Sequence, residues 1–225
     1  MITNINLPLG MVAPNHAKIL SAMNEDVFSK PPAYGRIANW LGPQMVVRLL
    51  DYAQSQRDSF FVSGVGKGDN KRVDLRVRRS TRLKDLGELK DELRERARTA
   101  LPAMFQQLGT TPFQPKDFEL DIVAHGDGAF YGRHRDSYIQ ASTTNRRVIS
   151  AVYYFHRLPK SFSGGALRIY AFEVLKDPGS FVDIEPTNDT LVFFPSWFPH
   201  EVLPVVCPSG RFEDSRFAIN CWVHR

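Results

Sequence analysis

Phe118-Glu-Leu-Asp-Ile-Val-Ala-His-Gly-Asp-Gly-Ala-Phe-Tyr-Gly-Arg-His-Arg-Asp136 is where this chain changes character from helix to sheet. Residues 119–124 and 130–134 read as two short strands, and the glycines between them supply the turn. The second strand leads into Tyr131-Gly-Arg-His-Arg-Asp-Ser-Tyr138. Side chains two apart on a strand share a face, roughly 6.5 Å apart along the backbone. His134 and Asp136 can therefore close on one metal ion while Arg133 and Arg135 point away. A third ligand has to come from elsewhere. A bare His-x-Asp is also a common surface pair, so the rest of the chain decides its meaning.

Downstream, further strand-like runs occupy residues 147–155, 166–172, 181–184, 190–194, 201–206 and 216–223, each bounded by turn residues. Eight short strands with glycine and proline turns predict a β-sandwich or jelly roll. In a jelly roll, strands far apart in sequence lie side by side. His200, in Ser196-Trp-Phe-Pro-His-Glu-Val202 directly after the apolar run Thr190-Leu-Val-Phe-Phe194, is the candidate third ligand. A turn histidine with no ligand role is the plain alternative. In Arg216-Phe-Ala-Ile-Asn-Cys-Trp222, alternation puts Arg216, Ala218, Asn220 and Trp222 on one face. An inward Arg216 is costly to bury unless a carboxylate meets it, and a guanidinium accepts one in two-pronged geometry. Arg211, in an exposed-looking turn, is its rival. Of the adjacent Tyr153 and Tyr154, Tyr154 shares parity with Val148, Ser150 and Val152, and a buried phenol needs a polar partner.

Upstream, residues 1–42 are irregular, with a short helix at 16–23. A helix opens at Pro43 and runs to about Ala53, burying Met45, Val46, Leu49, Leu50 and Ala53. Residues 59–63 and 72–78 read as a hairpin joined by the glycine-rich 64–70, a mobile flap. It lacks the Gly-Lys-Ser/Thr ending of a phosphate loop. Residues 85–108 carry the clearest helical period, Leu86, Leu89, Leu93, Ala97, Ala100, Met104 and Leu108; Pro102 is expected to kink this helix and Gly109 to end it.

The chain has 225 residues, 43% of them hydrophobic, and a formal charge of +5. That predicts one soluble domain, 1–225, with helices and hairpin in 1–118 and the sheet core in 119–225. No run reaches membrane-spanning length, and no basic stretch opens a signal peptide. The two cysteines, Cys207 and Cys221, lack framework spacing, which fits reduced thiols and a cytoplasmic location. The basic residues between 67 and 98 are interleaved with acids, so a nucleic-acid partner is not expected, nor a membrane one; they read as solvated hairpin and helix faces, with an anionic substrate as the alternative. Oligomeric state is not legible.

Seven elements occur in order: His134-Arg-Asp136, Val152-Tyr-Tyr154, Gly164-Gly-Ala-Leu-Arg-Ile169, Asp183-Ile-Glu-Pro186, Leu191-Val-Phe-Phe194, His200-Glu-Val-Leu-Pro204 and Arg216-Phe-Ala-Ile-Asn-Cys-Trp222. Together they make residues 119–225 resemble the iron(II)- and 2-oxoglutarate-dependent dioxygenases, in their prolyl-4-hydroxylase-like branch. The resemblance implies a mainly β fold with flanking α, a distorted double-stranded β-helix (jelly roll) buttressed by N-terminal helices. It implies His134, Asp136 and His200 as iron ligands, on one face of a metal whose opposite face stays open, as non-haem iron(II) oxygenases require. It implies Arg216 and Tyr154 on the distal carboxylate of 2-oxoglutarate, Tyr131 as an active-site aromatic, and Asn220 and Leu167 lining the cosubstrate pocket. Ala124 stands where relatives carry a tyrosine near the cosubstrate, with His125 as a partial replacement. The segment between His200 and Arg216 is longer than usual, which keeps Arg211 open as the anchor.

The implied cofactors are Fe(II), 2-oxoglutarate and O2, with ascorbate as an accessory reductant. The implied activity is hydroxylation of an unactivated C–H bond in a small-molecule or peptidyl substrate, prolyl or amino-acid-like, with succinate and CO2 as co-products. The presence of Asp136 favours hydroxylation over halogenation. A cupin-type metalloenzyme without 2-oxoglutarate, or a non-catalytic binding module on the same fold, are the alternatives. Residues 63–70 and 137–146 are expected to border the mouth; Arg135 and Arg147 either meet an acidic group there or lie in solvent, and solvent is the simpler expectation.

Overall fold

The computed structural model describes residues 32–65, 72–137, 146–171 and 180–225. The helix expected at 16–23 lies outside them, as do most of the flap tip and residue 172. In chain order the elements are β1 (Gly35–Ala38), α1 (Pro43–Ser55), β2 (Phe61–Val62), β3 (Arg78–Arg79), β4 (Thr81–Leu83), α2 (Leu89–Leu108), β5 (Asp117–His125), β6 (Phe130–His134), β7 (Arg147–Phe155), β8 (Ser163–Gly164), β9 (Leu167–Tyr170), β10 (Phe181–Ile184), β11 (Thr190–Pro195), β12 (His200–Val202), β13 (Val205–Val206) and β14 (Arg216–His224). The larger sheet runs β1-β11-β7-β14-β5-β4-β2, the smaller β10-β9-β12-β6-β3, and β8 pairs with β13. Every described pairing is antiparallel. The mainly β, jelly-roll architecture with helices on one side is as expected.

Alternation along the central strands separates two cores. On one face of the larger sheet, Leu120, Ile122, Ile149, Tyr153, Phe155, Phe217, Ile219 and Val223 pack with Leu93, Ala97, Leu101 and Met104 of α2 and Met45, Val46 and Leu49 of α1. Burying such side chains contributes about 1.5–3 kcal/mol each, and this core joins helices to sheet. The opposite face meets the smaller sheet through a lesser cluster, Tyr154, Val192, Phe194 and Ala218 against Leu167, Ile169 and Ile184. The remaining space between the sheets is a cleft of about 860 Å³.

Several local expectations are corrected. The expected strand 72–78 does not form, and only Arg78 enters a strand, β3: after a bridge between Val65 and Arg72 the chain turns, because Asp74 accepts hydrogen bonds from the Arg76 backbone and guanidinium. Asp side chains mimic a backbone turn in this way. Val73, Leu75 and Val77 are consequently exposed, and β2 pairs with β4 instead. Within the irregular 1–42, residues 35–38 form edge strand β1 against β11. The run 201–206 splits into β12 and β13, with Pro204 between them. The long helix begins at Leu89, after a turn in which Gly87 N–H donates to Asp85 Oδ1, and continues through Pro102 to a left-handed Gly109.

Candidate functional site

The cleft opens where β6 and β12 run side by side in the smaller sheet. His134 ends β6, His200 begins β12, and the two are register partners. Asp136 is not on the strand, which stops at His134; a bend carries it back. The Asp136 and Ser137 N–H groups both donate to the Ser196 carbonyl, 3.1 and 3.0 Å away, so this bend is tied to the turn that precedes His200. His134 Nε2 lies 3.8 Å from Asp136 Oδ1, and His200 Nε2 lies 3.5 Å from Asp136 Oδ2. One ligand atom from each of the three falls within 4.8 Å of the others.

The ring orientations are determined by the backbone. His134 Nδ1 is 2.9 Å from the Gly132 carbonyl and His200 Nδ1 is 2.9 Å from the Phe198 carbonyl. Carbonyls only accept, so in each ring Nδ1 carries the proton and Nε2 keeps its lone pair toward Asp136, as a metal ligand requires. Burial and the neighbouring His200 hold His134 down at about 3. Burial works to raise Asp136, but the His200 and His134 imidazoles and the Ser150 hydroxyl bring it to about 2. Ser150 Oγ is 2.7 Å from Asp136 Oδ2 and 2.9 Å from Ser196 Oγ. The carboxylate can only accept, so Ser150 gives its proton to Asp136 and receives one from Ser196. The sequence reading missed both serines; Ser150's shared parity with Tyr154 was the available signal.

Deeper in the cleft, Arg216 is 1% exposed. Its Nε donates to the Gly165 carbonyl at 2.7 Å, Nη1 lies 3.4 Å from His125 Nδ1, and the guanidinium sits 4.9 Å from the centre of the Tyr154 ring. Arg216 Nη2, the Tyr154 hydroxyl and His125 Nε2 are buried without hydrogen-bond partners. Burial pulls Arg216 below the ordinary arginine value and pushes Tyr154 up. Unanswered donors this deep cost free energy, and a carboxylate would answer them. Arg211, by contrast, has a side chain 61% exposed, is bound to the buried Asp214 at 2.8 Å, and does not line the cleft. Of the two candidate anchors, only Arg216 reaches the cleft.

The other expected positions also take definite places. Tyr131 stacks on His134 with ring centres 3.5 Å apart, and Asn220 and Leu167 line the cleft. Ala124 packs in the helix-facing core while His125 faces the cleft, as the one-residue step along β5 dictates. Arg147 is not in solvent: it grips Glu119 at 2.7 Å, lies over Trp222, and comes within 3.9 Å of Asp136 Oδ1. Of the two mouth segments, Gly64, Val65, Ser137 and Arg146 line the cleft, and the remainder falls mostly outside the described residues. Cys207 and Cys221 are free, buried thiols. Among the described residues no helix is long and apolar enough to cross a membrane.

A jelly roll with two imidazoles and a carboxylate converging beside a buried, unanswered arginine defines a protein able to hold a divalent metal and a carboxylate together. The family model of the 2OG-Fe(II) oxygenase superfamily matches residues 120–224. An uncharacterized PKHD-type hydroxylase from Synechocystis sp. is 35% identical over 210 residues, which is 92% of this chain and 67% of the relative. A prolyl-4-hydroxylase from Pseudomonas putida superposes with TM-score 0.62 at 27% identity, covering 86% of this chain and 93% of that one. A prolyl hydroxylase from Trichoplax adhaerens, solved with a peptide fragment of hypoxia inducible factor, gives TM-score 0.61 at 21% identity, with 92% and 90% covered, and shares the fold. The chain belongs to the 2OG-Fe(II) oxygenase superfamily and is an iron(II)- and 2-oxoglutarate-dependent hydroxylase that uses O2.

Proposed function

We propose that this hydroxylase acts on an aliphatic carbon of a prolyl or other amino-acid-like substrate, free or within a peptide. His134, Asp136 and His200 are the iron ligands, and Arg216 with Tyr154 holds the distal carboxylate of 2-oxoglutarate. The observation that carries the reading is the convergence of three ligand atoms within 4.8 Å, in the same cleft as the unanswered Arg216 Nη2 and Tyr154 hydroxyl. The prolyl preference follows the two solved relatives named above, whose own substrates are prolyl.

The residues present suit the group. Iron with 2-oxoglutarate and O2 supplies the oxidising power that no side chain has. His134, Asp136 and His200 would hold the iron, and a set of only three protein ligands would leave room on it for 2-oxoglutarate and O2. The Gly132 and Phe198 carbonyls hold the imidazoles in the ligating tautomer, and Ser150 fixes the carboxylate rotamer. Arg216 and Tyr154 orient the cosubstrate, Leu167 and Phe194 exclude water from beside it, and Tyr131 walls the substrate side. A cupin-type enzyme without 2-oxoglutarate would leave the Arg216 and Tyr154 donors idle.

Anaerobic addition of Fe(II) and 2-oxoglutarate is expected to give the visible charge-transfer band of a chelated 2-oxo acid, and His134→Ala to abolish it. Arg216→Ala is expected to weaken the band's 2-oxoglutarate dependence, whereas Arg211→Ala leaves it intact. A wild-type band unaffected by His134→Ala would refute the ligand assignment. Release of succinate, screened over proline-containing peptides and free amino acids, then identifies the substrate class.

A further inference from the structure

The cleft holds more positive charge than its cosubstrate accounts for. Among the described residues lining it are eight arginines and lysines, against the carboxylates of Glu119 and Asp136. In the reading above, which this inference extends, Arg216 is answered by 2-oxoglutarate and Asp136 by the metal. Arg147 already grips Glu119. Of the other six, Arg78 and Arg82 stand on the wall built by β3 and β4.

Arg78 and Arg82 form that wall, 7% and 8% exposed. Arg78 is opposite Tyr131 across β3 and β6, so both share a face; its guanidinium lies 4.4 Å from the centre of the Tyr131 ring, which in turn stacks on His134. Arg78 Nε donates to Ser80 Oγ at 2.9 Å, and no carboxylate lies within ion-pair range of it among the described residues. Arg82 is opposite Val123 across β4 and β5, which puts it on the same face as His125. Its Nη1 donates to Asp121 Oδ2 at 3.2 Å, while Nε and Nη2 are buried without partners. Asp121 is itself held above the usual carboxylate range by burial. One reluctant carboxylate therefore balances two buried guanidinium groups, with two N–H donors unanswered. A scaffold gains nothing from that arrangement, because buried donors without acceptors and unpaired charge both destabilise.

We propose that Arg78 and Arg82 form a subsite for a carboxylate of the primary substrate, so that the molecule hydroxylated here is acidic. A guanidinium takes a carboxylate in two-pronged geometry, and a pair of them selects an acid strongly over its amide. Only the Tyr131 ring separates Arg78 from His134, which places a carbon a few bonds from the bound carboxylate beside the metal ligands. The acid is either a free acidic amino acid or an acidic residue next to the target in a peptide; the chemistry recognised is the same.

The test uses the full chain loaded with Fe(II) and saturating 2-oxoglutarate under argon. The probes are 4-fluorobenzoate and its uncharged counterpart 4-fluorobenzamide. High-spin iron(II) broadens the fluorine resonance of a probe held near it, and retention of the charge-transfer band shows that 2-oxoglutarate has not been displaced. We expect the benzoate to bind at least about tenfold more tightly than the amide. That preference should vanish in Arg78→Gln and in the double variant Arg82→Gln/Asp121→Asn, which removes the ion pair together and strands no carboxylate. Equal broadening by both probes, no broadening by benzoate at tens of millimolar, or a preference surviving both variants overturns the proposal. A wild-type chain with the band but no benzoate binding loses the subsite alone; a chain without the band loses the metal-site reading and this proposal with it. Displacement of the probe by free L-glutamate, compared with acetyl-glutamyl-proline amide, separates the two sources of the acid.

Discussion

Gly165 holds Arg216 in place through the absence of a side chain. It sits at φ +69 with its carbonyl on Arg216 Nε, and a Cβ there would stand 2.6 Å from Arg216 Cδ and 2.8 Å from Val205 Cγ2. Gly165→Ala therefore adds left-handed strain of about 1–2 kcal/mol and pushes the guanidinium off its position. Losing a charge-assisted contact of about 1.5–3 kcal/mol should raise the KM for 2-oxoglutarate roughly tenfold or more, with Fe(II) affinity unchanged. Succinate release against 2-oxoglutarate concentration measures the first, and metal titration measures the second. Ser150 has the converse signature. Ser150→Ala frees Asp136 Oδ2 from its hydrogen bond, and loss of such an orienting partner costs about 10–100-fold in metal affinity. The expected result is weaker Fe(II) binding with 2-oxoglutarate affinity preserved at saturating metal. If Ser150→Ala binds iron as the wild type does, the hydroxyl has no orienting role.

Asp189 joins β11 to the segment leading into α1. At φ +52, its Oδ1 accepts from Leu41 N–H and the Tyr153 hydroxyl, each at 2.9 Å, and its Oδ2 accepts from Gly42 N–H at 3.0 Å. Asp189→Ala leaves three donors without an acceptor and should cost about 3 kcal/mol, read as a lower urea midpoint at constant slope. Asp189→Asn keeps one acceptor oxygen and should lose less. Contacts of this kind also mark the limit of what could be read from sequence. Strands 130–134, 147–155 and 181–184 were legible to the residue, because apolar β-formers end abruptly at turn residues. Strands β1, β3 and β4 are two to four residues long and leave too little periodicity to detect. The apolar and charged alternation at 72–78 misled because local capture of the Arg76 N–H by Asp74 outcompetes a ladder. The convergence of His134, Asp136 and His200 was legible by residue type, but strand parity was only part of its cause: Asp136 is positioned by the Ser196 carbonyl, from a turn remote in sequence. Arg147 and Arg78 were not legible, since the groups that define them, Glu119 and Tyr131, come from other strands.

For the molecule as a whole, the two cores divide the labour unequally. The helix-facing core runs from Leu41 to Val223 and contains side chains of both helices and of β5, β7, β11 and β14. The inter-sheet cluster is smaller, because the cleft takes up the space that apolar side chains would otherwise fill. A site needing room for metal, cosubstrate and substrate cannot be densely packed, so stability has to come from the other face of the same sheet. The helix-bearing portion, as described from residue 32 to 118, and the sheet portion, 119–225, are therefore expected to unfold as one cooperative unit. Trp40 packs edge-on against Tyr153 in the helix-facing core, whereas Trp222 lines the cleft under Arg147. Denaturation followed by tryptophan fluorescence in Trp40→Phe and Trp222→Phe variants should give coincident midpoints, matching the loss of far-UV circular dichroism. Residues 119–225 expressed alone would expose Leu120, Ile122, Ile149, Phe155, Phe217 and Ile219 to water and should not give a cooperative transition. Fe(II) with 2-oxoglutarate, bound only by the folded chain, should then move every probe's midpoint upward together. Two separated transitions, or a shift confined to the Trp222 signal, would mean that the cleft opens independently of the helix-packed face, and the single-unit account would fail.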